Sequence, residues 1–305
     1  IEINKNIKYI FFYLNRKFNY YKMITCNLMG GLGNQLFQIF ATITYAIKSK
    51  NQFKFLALET LGGGSTTIRY TFWNTFLSNL KPFLINELPQ DIQVIRENSF
   101  PYNELPVDKM RNKNVMLYGY FQSYKYFQEH YAVICKMIGL GKKKDELLFK
   151  LDISNETIAN AISMHFRIGD YKKIQKYHPL ATYEYYESSL TYIREKKPEQ
   201  MFTIYYFCED IDIDDVLQII QKLEVNFSLF KFERGNKELS DWEQMLLMSC
   251  CHHNIIANSS FSWWGAYFNS WKDKIVCYPS VWFGQLANND TRDLCPSTFV
   301  KIDTN

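Results

Sequence analysis

The chain has 305 residues, 47% of them hydrophobic, with only 8 prolines; this suits a folded protein of one large or two modest domains and excludes a disordered one. Five of its 35 basic and one of its 31 acidic residues lie within 1–22, so the net charge of +4 resides there and the other 283 residues carry 30 of each sign. A neutral body argues against a protein held to nucleic acid by phosphate contacts, and no run approaches the roughly 18 apolar residues of a bilayer-spanning helix.

The apolar stretch Ile7–Leu14 is interrupted by Lys8 and lacks a small-residue cleavage site after it. We expect residues 1–22 to be an upstream extension and the domain to start near Met23. Ile24–Met29 predicts a buried strand, and Leu36, Ile39, Phe40, Ile43, Ala46 and Ile47 keep the period of a following helix. Between them lies Gly30-Gly31-Leu32-Gly33-Asn34-Gln35, where backbone N–H groups and the helix dipole favour an anion. Leu36 replaces the third glycine of a dinucleotide fingerprint, and no Lys-Ser or Lys-Thr follows as in a P-loop. Asn34 and Gln35 offer amides to a phosphate oxygen or hydroxyl; a tight turn with Asn34 as N-cap is the alternative. Phe53–Leu58 predicts a second strand, Gly62-Gly63-Gly64 opens an irregular region, Val115–Gly119 predicts a third strand, and Tyr120–Ile138 reads as mostly helical. Gly141-Lys142-Lys143-Lys144 predicts a surface turn near a domain boundary.

From about residue 150 strands and helices alternate: strand Ala161–Phe166, helix Tyr183–Lys196, strand Phe202–Phe207, helix Asp214–Leu223, strand Phe227–Phe232, helix Asp241–Cys250, strand Asn254–Ala257, a helix from Trp263 and strand Ile275–Tyr278. Such repeated βα units imply a parallel sheet with helices on both faces. Ser240 and Glu243 form a capping box that fixes one helix start. The seven cysteines form no CxxC pair and read as reduced core residues. Cys250-Cys251-His252-His253 reads as a helix end, since consecutive side chains diverge and cannot meet on one ion.

Three further strand ends carry chemistry. His165-Phe166-Arg167-Ile168-Gly169-Asp170-Tyr171 follows a buried strand and sets a guanidinium at the sheet's carboxyl edge, where it suits a diphosphate. A surface Arg167–Asp170 pair is the plain alternative. Glu209 and Asp210 follow the next strand and can accept from a guanine or a ribose diol. Asp212 and Asp214 read as acidic residues opening a helix rather than a calcium loop. Asn258-Ser259-Ser260-Phe261-Ser262-Trp263-Trp264-Gly265 places hydroxyls at another helix start, for capping and phosphate binding together.

With these pieces in order over residues 23–285, joined by Phe37-Gln38, Tyr185-Tyr186, Tyr278-Pro279 and Trp282-Phe283, the chain resembles the α-1,2-fucosyltransferases of glycosyltransferase family 11. The resemblance implies an α/β, GT-B type fold of two Rossmann-like halves facing a central cleft: 23–150 on the acceptor side and 151–305 on the GDP-sugar donor side. It implies inverting transfer of L-fucose from GDP-β-L-fucose to the 2-hydroxyl of a terminal galactoside, with no metal and no cofactor beyond the donor substrate. Arg167, His165 and Asp170 would then be catalytic, with Arg167 on the diphosphate. Gly31, Gly33, Asn34 and Gln35, the pair Glu209 and Asp210, and the loop Asn258, Ser259, Ser260, Phe261 and Ser262 would bind the donor. Two positions depart from the family: Ile168 stands where a second arginine is frequent, and Glu209-Asp210 where an aspartate pair is. A different GDP-sugar transferase and a noncatalytic sugar- or nucleotide-binding protein stand as alternatives. The expected partners are GDP-fucose and a galactose-terminated glycan, without nucleic acid, and the expected location is cytoplasmic with at most peripheral membrane association.

Overall fold

A computed structural model describes residues 22–62, 67–110 and 112–303. The expected upstream extension, except Lys22, and Gly63-Gly64 lie outside the described residues. The chain divides into two compact units, one extending to Gly141 and taking in Arg292–Leu294, the other comprising Lys142–Thr291 and the chain from Cys295.

In the first unit β1 (Met23–Cys26), β2 (Gln52–Phe53), β3 (Gln93–Arg96) and β4 (Val115–Tyr118) form a parallel sheet in the order β2-β1-β4-β3. All four residues of β1 are buried, as an unbroken apolar run requires. Helix α1 (Leu32–Ser49) follows it and buries Leu36, Ile39, Phe40 and Ile43. The strand predicted over Phe53–Leu58 breaks at Lys54: Gln52–Phe53 joins this sheet, while Phe55–Leu56 pairs with Leu84–Ile85. Two aromatic partners explain the break, since Phe53 packs on Phe83 at 4.4 Å and Phe55 stacks on Trp73 at 5.4 Å. The helical prediction for Tyr120–Ile138 holds only at a 3-10 turn, Tyr124–Tyr126, and at α2 (Tyr131–Met137). The Glu97 carboxylate takes the N–H groups of Tyr120 and Phe121 at 2.7 and 2.9 Å and holds Phe121 at φ 52°, a turn conformation. Arg292–Leu294 is tied to this unit through Asp293, which pairs with Lys125, accepts the Tyr102 N–H at 3.1 Å, and receives the Ser123 hydroxyl on its carbonyl at 2.6 Å.

The turn expected at Gly141–Lys144 is instead part of helix α3 (Leu140–Lys150). Lys144 donates to the carbonyls of Ser249 and Phe268, at 3.2 and 2.7 Å, and Lys150 pairs with Glu243 at 2.7 Å. These bonds assign the helix to the second unit, so the division falls after Gly141 rather than after 150.

The second unit continues with α4 (Asn155–Ala159), β5 (Ala161–His165), α5 (Tyr183–Lys196), β6 (Thr203–Phe207), α6 (Ile213–Asn226), β7 (Lys231–Arg234), α7 (Asp241–Cys250), β8 (His253–Ile255), α8 (Ser260–Tyr267), β9 (Val276–Pro279) and β10 (Val300–Ile302). Its six strands are parallel in the order β7-β6-β5-β8-β9-β10. Counted within the unit this is 3-2-1-4-5-6, the doubly wound dinucleotide-fold order. Ile162, Met164, Ile204, Ile255, Tyr185 and Tyr186 belong to one buried core. The predicted strand Phe227–Phe232 shifts to Lys231–Arg234 because Phe227 and Phe230 stack on each other at 5.9 Å in the turn that ends α6. The capping box at Ser240 and Glu243 is present. The fold is thus α/β with two Rossmann-like halves, and no described helix is long and apolar enough to cross a membrane.

Candidate functional site

In a 3-2-1-4-5-6 sheet the crevice opens where successive connections diverge, between the first and fourth strands. Those strands are β5 and β8, so the segments beginning at Phe166 and at Ile256 leave the sheet at the switch point. Arg167 lies there with its side chain 22% exposed, one guanidinium nitrogen on the Glu209 carboxylate and another on Asp170. Its Cζ lies 5.0 Å from the centre of the Tyr171 ring. The predicted Arg167–Asp170 pair therefore exists, with Glu209 from the next strand as a third member. Gly169, at φ 30°, donates its N–H to buried Asp212 at 2.7 Å, which fixes the turn between Arg167 and Asp170. Asp212 is the N-cap residue of α6, in keeping with a structural helix start.

His165 ends β5 and is buried against Phe261, the ring centres 5.6 Å apart. Burial first, and the neighbouring Arg167 second, push its pKa down to about 3, which leaves a neutral ring and a weak proton acceptor at neutral pH. Its Nδ1 is buried without a hydrogen-bond partner, an exception to the usual pairing of buried polar atoms. Asp170 is exposed beside Arg167.

Ser259 is the N-cap of helix α8, and its hydroxyl accepts the Phe261 N–H at 3.3 Å, so the predicted capping role is observed. Ser260 and Phe261 are partly exposed. Ser262 is buried, with its hydroxyl 3.4 Å from the carbonyls of Ala257 and Ser259. Asn258 is 2% exposed and donates through Nδ2 to the carbonyls of Pro179 and Trp282, at 2.9 and 3.1 Å. It braces two loops against the helix start. Asp210 pairs with Arg234 from the end of β7, so of the neighbours Glu209 and Asp210 it is Glu209 that reaches Arg167, beside Asp170.

In the first unit the glycine loop follows β1. Gly30 has φ 74°, and a Cβ there would come within 2.5 Å of the Asn34 amide nitrogen. Gly31, rather than Asn34, occupies the N-cap position, and Gly33 is buried in the first turn. The Asn34 side-chain oxygen accepts from Gln122 at 2.7 Å. Gln35 is fully buried and donates to the carbonyls of Gly30 and Tyr70, so its amide nitrogen holds the loop.

Sequence reasoning missed Arg234, Gln122 and His178. Gln122 follows a predicted strand end and was legible by position. Arg234 was hidden by the misplaced strand at Phe227–Phe232. His178 lies in the long loop after β5, stacked on Tyr171 at 4.7 Å, where no periodicity operates. None of the seven cysteines is joined in a disulfide among the described residues. Cys250 ends α7 and His253 opens β8, as the helix-end reading requires. Among the described residues no three His, Cys, Asp or Glu side chains are placed to hold a metal ion.

An Escherichia coli alpha-1,2-colitosyltransferase is 30% identical over 302 residues, 92% of this chain and 99% of that protein. The E. coli O-antigen biosynthesis glycosyltransferase WbnK is 28% identical over 316 residues, 92% of this chain and all of that protein, 100%. A crystal structure of POFUT1 in complex with GDP superposes with a TM-score of 0.49 at 9% identity, covering 86% of this chain and 99% of that one. The model of glycosyl transferase family 11 matches residues 2–283, every motif from Gly30 to Phe283 among them, and the chain belongs to that family.

Proposed function

We propose that the protein transfers L-fucose from GDP-β-L-fucose, with inversion and without a metal ion, to the 2-hydroxyl of a terminal galactoside. The observation that carries the proposal is Arg167, just past the end of β5 at the switch point of the second unit's sheet and paired with Glu209. Breaking the anomeric C–O bond builds negative charge on the departing GDP. A fixed guanidinium and the N-terminal N–H groups of α8 stabilise that charge more in the transition state than in the ground state. Glu209 at the end of β6 occupies the place where this fold reads a nucleotide's ribose. Because His165 is held neutral and weakly basic, the proposed path is a loose, ionic transition state in which the acceptor proton leaves late.

A related deoxysugar is the second donor to test, because the relative at 30% identity is named for colitosyl transfer. The test is GDP release in EDTA with lactose or N-acetyllactosamine, offering GDP-fucose, the colitosyl donor and GDP-mannose in turn. Acceptor-stimulated release from GDP-fucose alone is expected. Release from the colitosyl donor alone corrects the sugar, and silence with every donor while GDP-fucose still binds favours a noncatalytic binding protein.

A further inference from the structure

Arg167 is the first member of a series of stacked groups that the donor reading leaves unused. Its guanidinium carbon lies 5.0 Å from the centre of the Tyr171 ring. That ring stacks on His178 at 4.7 Å and an interplanar angle of 21°, and His178 packs on Phe283 at 5.5 Å. The series is pinned at several points. The Tyr171 hydroxyl donates to the Asn258 carbonyl at 3.4 Å, Gly284 donates its N–H to the Tyr177 carbonyl at 2.8 Å, and Asn258 ties Pro179 to Trp282. The approach at Gly284 is close: a Cβ there would meet the Lys176 carbonyl oxygen at 2.3 Å. His178 is half-buried, and its Nδ1 has no hydrogen-bond partner, so the ring's contribution is its face rather than its polar edge. Burial and the Arg167 charge lower its pKa against the opposing pull of Asp170. A neutral imidazole adds no second cation beside Arg167.

Carboxylates hold two edges of the guanidinium, but edge contacts alone leave the group free to rock about them. A ring face beside the group removes that freedom, and the cation–π attraction holds the guanidinium over the Tyr171 ring. We propose that Tyr171 and His178 are positioning residues, stacked in series to fix the plane in which Arg167 meets the donor diphosphate. The inference rests on the donor reading of Arg167.

The test is calorimetric GDP binding together with kcat and KM for GDP-fucose in Tyr171→Leu, Tyr171→Phe and His178→Leu, with thermal unfolding as a check on folding. Tyr171→Leu is expected to weaken GDP binding about tenfold, between the scales of an exposed and a desolvated cation–π contact. Tyr171→Phe recovers most of that loss because it keeps the ring, and His178→Leu gives a smaller loss. In an Arg167→Ala background Tyr171→Leu has no further effect on GDP binding, because the group it orients is gone. Equal losses from Leu in both backgrounds, or no rescue by Phe, overturn the inference while leaving the donor reading intact. A wild-type protein that binds no GDP overturns the donor reading and the inference with it.

Discussion

Asn258 opens the proposed donor loop, yet its side chain is spent on two carbonyls, and replacing it separates bracing from ligand binding. Each of the bonds to Pro179 and Trp282, at 2.9 and 3.1 Å, is worth about 1 kcal/mol net. Leaving a buried carbonyl unsatisfied adds roughly 1–3 kcal/mol, and Trp282 is itself buried. Asn258→Ala is therefore expected to destabilise the protein by about 3–5 kcal/mol, a fall of roughly 5–15 °C in Tm for a chain of this size. Asn258→Asp preserves the shape but turns a carboxylate oxygen toward two carbonyl oxygens, so it should cost more than alanine. Differential scanning calorimetry at neutral pH, without nucleotide, reads both variants. An aspartate variant that unfolds within about 1 °C of the wild type, equivalent to less than about 0.5 kcal/mol, refutes the bracing role.

Arg167→Ala is expected to lower turnover by at least about a hundredfold, the scale of losing one oxyanion donor; near-normal steady-state turnover would sink its assignment to the leaving diphosphate. Gly30→Ala should destabilise by about 1–2 kcal/mol, since φ is 74° and the new Cβ meets Asn34, whereas Gly31→Ala, with open space around its Cβ, should stay within about 0.5 kcal/mol. Equal denaturation midpoints for the two would contradict the loop geometry. Burial holds His165 and His253 at about 3 in the folded chain, against 6.5 unfolded. The unfolded state thus binds more protons between these values, and stability present above about pH 6.5 is lost as pH falls toward 3, by about 1.4 kcal/mol per pH unit for each ring. His253→Asn, which keeps an acceptor for the Ile275 N–H seen at 3.0 Å, should flatten the acid limb of a urea-unfolding pH series by about one proton. An unchanged slope would show that the ring is already charged when folded.

Strong periodicity was the legible part of the fold. Helix Tyr183–Lys196 and helix Asp241–Cys250 have the predicted bounds, the second because its capping box satisfies the first-turn donors. Short aromatic runs misled. Phe53, Phe55, Phe227 and Phe230 read as strand residues by composition, but ring packing decides their backbone, with neighbours distant in sequence for Phe53 and Phe55 and within one turn for Phe227 and Phe230. Strand β3 and strand β10 were missed because Gln93–Arg96 is largely exposed and Val300–Ile302 is too short for alternation to register. In the site, residues at strand ends were found because a strand followed by glycine and charge announces the sheet's edge. Partners such as His178 and Arg234 come together only through loop paths and strand register.

The three residues Arg292–Leu294 have a practical meaning for recombination within the family. The chain passes between the two units at three peptide bonds, after Gly141, after Thr291 and after Leu294, rather than once. A fragment cut at Gly141 loses Asp293, and with it the counter-charge of Lys125 and the acceptors of Tyr102 and Ser123. A chimera that exchanges second units between two relatives must therefore splice this tripeptide from the parent of the amino-terminal half. A single crossover would join each first half to a clasp shaped by the wrong partner.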